Sequence, residues 1–266
     1  MKKQLISILA LFLLATTNSF SQEKETASAE ELAKKLANPA AALISVPLQN
    51  NFDFNVGPLE GFRYTLNLQP VIPFSISEKW NVISRAIVPI ISQSDVTGPG
   101  NNETGLGDTA LSFYFSPKQA KNGIVWGVGP ILVIPTATND ILGFDKWGAG
   151  PNALIVKIQG PLTYGGLVNH TWSYVGNGLN DINATFLQPF FTYSNKTGGS
   201  YTMASENTQD WDNDLFGGFV GVYAAQILKL GPQLVQFAVG PKMYYGNNPF
   251  NPDWGIRANI TLLFPN

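Results

Sequence analysis

The chain has 266 residues, enough for one large β domain or two small ones. Only 13% of them are charged and the formal net charge is −2, so no strong field points to a nucleic-acid partner. There is no cysteine and one histidine, His170, which excludes disulfide frameworks, thiolate sites and two-histidine zinc motifs.

The first element is "MKKQLISILALFLLATTNSFSQ". Lys2 and Lys3 precede a short apolar run from Leu5 to Ala15, and Ser19 and Ser21 occupy the −3 and −1 positions of a small-residue cleavage site. This predicts a secretory signal peptide over residues 1–21, removed before Gln22, and an exported mature chain. Its apolar run is too short to span a bilayer, and no later segment offers about 18 uninterrupted apolar residues.

Residues 22–43 form an N-terminal extension. In "SAEELAKKLANP", Ser28 and Glu31 fit a capping box and Pro39 stops the run, which predicts a short helix, marginal on its own. It reads as an ordered extension; a plug or lid at a barrel mouth is the alternative.

From Ile44 to residue 266 the hydrophobic period is two. "SVPLQNNFDFNV" sets Val46, Leu48, Phe52, Phe54 and Val56 against Gln49, Asn51, Asp53 and Asn55. "RYTLNLQPVIPF" and "LVQFAVGPKMYY" alternate in the same way. So does "WGIRANITLLF", where Trp254, Ile256, Ala258, Ile260, Leu262 and Phe264 share a face. About twelve such segments begin near Ile44, Arg63, Trp80, Leu106, Ile124, Trp147, Thr163, Ile182, Ser200, Leu215, Gln233 and Trp254. Tight connections ("SEK", "QGPL", "NKTGG", "KLGP") alternate with longer ones ("SDVTGPGNNETG", "TATNDILGFDK", "NNPFNPD"), and aromatic residues gather at segment ends. The expected fold is all-β: an antiparallel transmembrane barrel of about 12 strands with a short N-terminal helix, both termini on the periplasmic side. Phe54, Leu68, Phe237 and Ile260 are expected to meet lipid. Pro70, Pro89, Pro130, Pro151, Pro189 and Pro241 fall inside predicted strands and predict bulges. They would suit an irregular soluble β-sandwich, the alternative fold.

"GLGD" (105–108), "WGVGPILVIPTATND" (126–140), "KWGAGP" (146–151), "NHTWS" (169–173), "FLQPF" (186–190) and "WGIRANITLLFP" (254–265) resemble a bacterial outer-membrane family labelled the MetA-pathway of phenol degradation, some of whose relatives carry the label "neuromedin U". The resemblance spans about residue 28 to the C-terminus. It implies a barrel in the outer membrane of a Gram-negative bacterium and the uptake of aromatic compounds. The partners expected are outer-membrane lipid, the barrel-assembly machinery and a small-molecule solute. Barrel chains often end on an aromatic residue, whereas here Pro265 and Asn266 follow Phe264.

No catalytic, cofactor or metal site is expected. "GAGPNA" (148–153) matches a dinucleotide fingerprint, but Pro151 sits where backbone must approach the phosphate and no helix follows. "DWDND" (210–214) has alternate aspartates but lacks the glycine and the glutamate of a calcium loop and reads as a polar turn. Asn169, His170 and Ser173 cannot all enter a lumen, because adjacent strand residues face opposite ways. The remaining candidate site is the inward polar face: Asn51, Asp53, Arg63, Thr65, Asn67, Gln69, Asp108, Glu206, Lys242, Arg257 and Asn259. Closing the first strand on the twelfth would gather Asp53, Arg63, Lys242 and Arg257 on one wall. These residues either line a narrow passive channel, where they set ion preference, or fill a closed structural or ligand-binding barrel.

Overall fold

The structure, a computed structural model, describes residues 29–38, 43–178 and 180–265. The predicted signal peptide, its cleavage site, the Ser28 cap and the Pro39 stop lie outside the described residues. A helix, α1 (Ala29–Ala37), precedes fourteen strands: β1 (Ile44–Val56), β2 (Gly61–Leu68), β3 (Val71–Ser75), β4 (Trp80–Ser94), β5 (Asn102–Leu106), β6 (Thr109–Pro117), β7 (Ile124–Ile134), β8 (Lys146–Gln159), β9 (Leu162–Gly176), β10 (Asn183–Ser194), β11 (Gly199–Asp210), β12 (Leu215–Leu230), β13 (Gln233–Gly246) and β14 (Trp254–Phe264).

Two pairs of these are single staves interrupted midway. β2 and β3 both pair with β4 in one unbroken register, Leu68 opposite Val88 and Val71 opposite Arg85, with Gln69 and Pro70 between them. β5 and β6 also both pair with β4, across Gly107 and Asp108. The result is a closed antiparallel barrel of twelve staves, as the alternation predicts. The seam is β1 against β14, from Ile44 opposite Phe264 to Phe54 opposite Trp254. Phe54 stacks on Trp254 across it at 4.4 Å. No edge remains, so the soluble sandwich is excluded.

Alternation decides which side chain goes where. Phe237 and Ile260 are exposed on the outer face, as are Val128, Ile155, Leu187, Met203, Val222 and Met243. Phe54 and Leu68 share that face, half-covered by neighbours. Such a continuous apolar outer surface would be untenable in water and suits lipid. Rings mark both ends: Trp80, Trp126, Tyr164, Tyr193 and Tyr201 at the end bearing the termini, Trp147, Trp172, Trp211, Tyr245 and Trp254 at the other. One predicted facing is reversed. A bulge between Phe54 and Val56, with Asn55 at φ 55°, turns Val56 inward and leaves Asn55 exposed.

The prolines act differently from expectation. Around Pro130, Pro151, Pro189 and Pro241 one ladder skips two residues and resumes in the same register, as where Leu187 faces Asn207 and Phe190 faces Ala204. The missing N–H costs rungs but inserts no residue, so these are not bulges. Pro89 alone sits opposite a register offset. Leu106 faces Ile90 whereas Ala110 faces Ile87, and Gly107 N–H donates to Pro89 O.

Candidate functional site

Ten of the eleven predicted residues share the inward face of their staves. On the seam wall they form one network rather than a hydrated lining. Lys242 is 1% exposed, and its ammonium lies 2.7 Å from Asp53 Oδ1, donates to Asn51 Oδ1 at 3.2 Å and to Tyr244 OH at 2.8 Å. Tyr244 OH donates in turn to Asp53 Oδ1 at 2.8 Å. Arg257, 6% exposed, donates from Nε to Asn51 Oδ1 at 2.8 Å and pairs with Glu206 Oε1 at 2.7 Å. Register explains these meetings. Arg257 faces Asn51 on one side and Gly240 on the other, and Gly255 lies between Asp53 and Lys242. A Cβ on Gly255 would collide with Asp53 Oδ1, so the glycine leaves the space through which the lysine reaches its carboxylate. Phe219 is flanked by both cations, with Lys242 Nζ 5.1 Å and Arg257 Cζ 4.9 Å from its centroid.

The network continues around the wall. Gln49 Oε1 accepts from Asn67 and Gln69, Arg85 donates to Gln69, and Asn51 Nδ2 donates to Thr65 O. Arg63 Nε donates to Gln93 Oε1 at 2.9 Å, and Gln93 donates to Glu103. Asn259 points inward, but its buried Oδ1 has no partner among the described residues. Arg85, Gln93, Gln188, Phe219 and Tyr223 belong to the site but are absent from the sequence reading, and Tyr244, read there as one of the strand-end aromatics of the membrane interface, points inward instead. On β12, "LFGGFVGVYAAQILKL" is apolar on both faces, which hides the inward parity of Phe219 and Tyr223.

Asp108, the eleventh, is engaged by a loop. It sits at the break between β5 and β6, where Oδ1 accepts the N–H of Ala137 at 3.2 Å and Oδ2 that of Phe144 at 2.6 Å. Thr138 is bonded to both backbone groups of Leu106. The carboxylate thus clamps the β7–β8 loop, residues 135–145, against the broken stave. Beneath that loop lies a cavity of about 670 Å³ at the loop end. Arg63, Thr65, Gln93 and Ile91 line it from the wall, and Ile141, Leu142 and Phe144 from the loop.

The opposite inner wall is apolar. Ile83, Tyr114, Val125, Leu154, Val156 and Leu167 form one buried cluster, joined by Phe186 and Phe190. At the end bearing the termini, α1 packs inside the mouth: Leu32, Ala33 and Leu36 lie on the inward side chains Ile227, Leu234 and Leu263. The helix is therefore seated in the barrel mouth, the alternative to a plain extension.

The residues weighed for other chemistry are dispersed. His170 faces outward, with Nδ1 2.7 Å from Thr185 Oγ1 and its ring 4.0 Å from Trp172, while Ser173 Oγ donates to Asp181. Residues 148–153 lie within strand β8. Asp210 caps the turn after β11 by accepting the N–H groups of Asp212 and Asn213.

No family model and no curated protein matches the chain. Among solved structures, the COG4313 outer membrane channel from Pseudomonas putida F1 is similar at 13% identity and a TM-score of 0.69, over 84% of this chain and 96% of that one. The CymD monoaromatic hydrocarbon channel (8% identity, TM-score 0.42, 88% and 90% covered) and the outer membrane phospholipase A from Escherichia coli (9%, 0.43, 91% and 99%) are more distant. The first match shows the fold, that of an outer-membrane β-barrel. The phenol-degradation label gains no support from a family match.

Proposed function

We propose that the protein is a passive outer-membrane channel for small solutes with an apolar or aromatic body, closed in this conformation by α1. The observation that carries the reading is the cavity of about 670 Å³, where the apolar Ile91, Ile141, Leu142 and Phe144 stand beside Arg63, Gln93, Asp140, Asp145, Asn177 and Asn180. Such a lining offers one apolar side to a small body and several polar groups to orient it. The exposed apolar belt supports residence in the outer membrane of a Gram-negative bacterium, reached by way of the signal peptide.

The same structure favours a second reading through one observation: buried ion pairs and the apolar cluster occupy the lumen, as in a closed binding barrel. Swelling of proteoliposomes in L-phenylalanine and in L-arabinose separates the two. The channel reading expects swelling in both once residues 22–38 are removed, faster in phenylalanine. No swelling in either solute, from folded protein, supports the closed barrel.

A further inference from the structure

Charges outside the lumen are sorted by end. Six loops, residues 57–60, 95–101, 135–145, 177–182, 211–214 and 247–253, lie at the end away from the termini. Each contains at least one carboxylate, and none contains a lysine or arginine. Five short turns, residues 76–79, 118–123, 160–161, 195–198 and 231–232, lie at the end bearing the termini. Lys79, Lys118, Lys121, Lys157, Lys196 and Lys229 fall in these turns or within three residues of them, and Glu78 is the single acid there. The barrel's other cations are inside it, except Lys146, which pairs with Asp181 at 2.5 Å.

The six turn-end lysines form no ion pair among the described residues. Lys118 and Lys157 donate only to neutral oxygens, Ser75 Oγ and Asn122 O, each at 2.5 Å. Five of the six are exposed and Lys157 is half-buried. They stand at the level of the outward rings Trp80, Trp126, Tyr164, Tyr193 and Tyr201, and exposed Ile76 and Leu230 lie beside them; Lys229, opposite Leu234, is on the inward face of its strand at the rim of the mouth. Aromatic belts mark headgroup depth, and a lysine there lays its stem on apolar surface and presents its ammonium to the headgroups.

We propose that the turn end of the barrel is a binding surface for anionic phospholipid headgroups. Glu30 of α1 acts on Lys196 from beyond ion-pair distance, and phosphates with no compensating headgroup cation supply the close counter-charge that these lysines lack. The carboxylate-bearing loops repel the same headgroups, so the two ends of the molecule discriminate between leaflets. The inference requires a membrane-embedded barrel and holds whether or not the lumen conducts.

The test uses the full mature protein folded into vesicles of phosphatidylcholine, alone or mixed with phosphatidylglycerol, and reads the midpoint of thermal unfolding by heat-modifiable mobility. Phosphatidylglycerol is expected to raise the midpoint by about 5 °C or more at low salt, and the gain should shrink at high salt. Replacing the six lysines by glutamine should abolish the gain. Should that variant fail to fold, Lys118→Gln with Lys196→Gln, both exposed turn positions, should remove part of it. Equal midpoints in the two vesicles, or a gain that survives the substitutions, would overturn the proposal. So would an equal gain from inorganic phosphate added to phosphatidylcholine vesicles, which would make the partner a free anion.

Discussion

Lys242 reaches Asp53 across the stave that carries Gly255, and both charges are almost fully buried. Removing one member of such a pair strands the other, at a cost of about 3–5 kcal/mol. Lys242→Met should therefore destabilise the barrel by that amount in urea unfolding from vesicles, and adding Asp53→Leu should restore much of the loss. A single variant as stable as the wild type would mean that water reaches Asp53 freely. Outward positions follow a different rule. Ile260→Lys places a charge in lipid and should cost about 2–4 kcal/mol, whereas Asn259→Lys, one residue away and inward, should be better tolerated. Equal tolerance in membrane assembly would reverse the assigned facing. At this scale alternation revealed the faces of Asn51, Asp53, Lys242 and Arg257. It did not reveal their partners: Glu206 reaches Arg257 from three staves away, and the role of Gly255 is only space.

Among elements, strands were legible and the segments that fold back onto the barrel were not. Each stave repeats with period two, and eleven of the twelve predicted starts fall within two residues of real ones; Leu106 instead ends β5, in a stave that begins at Asn102. The hold of Asp108 on the 135–145 loop rests on contacts 29 and 36 residues apart, which no periodicity records. Asp108→Ala should release that loop and speed limited proteolysis within residues 137–144, leaving the barrel intact; unchanged cleavage would show that Thr138 holds the loop alone. The 177–182 loop has a pH-dependent hold. Hydrogen bonds from Lys146, then from Ser173, keep the Asp181 carboxyl below its ordinary value. Its contribution is present above that ordinary value and is lost as the pH falls through the depressed one. Amide exchange in this loop should be insensitive to pH down to roughly 4 after correction for intrinsic rates, and protection should fall below that. Asp181→Asn should remove this dependence. The seat of α1 was also hidden. Its nine residues show an apolar face but not the ring of Ile227, Leu234 and Leu263 that receives it.

For the whole molecule, closure is what alternation and an even number of staves dictate, and "WGIRANITLLF" meets lipid on its apolar face while its other face completes the buried network. The state of the lumen was not legible. A twelve-stave barrel has room for a passage, yet here Tyr114, Phe186, Phe190 and Phe219 project into it beside two ion pairs. Whether it conducts therefore depends on which parts can move, and α1, held by apolar contacts at one mouth, is the element whose loss disturbs the barrel least. Single-channel recording in planar bilayers tests this account most directly, comparing the full mature protein with the same protein lacking residues 22–38. The account predicts a nearly silent full-length barrel and steady conductance from the truncated one, with both showing heat-modifiable mobility. Equal conductance from the two would contradict closure by α1, and silence from a folded truncated barrel would contradict the channel.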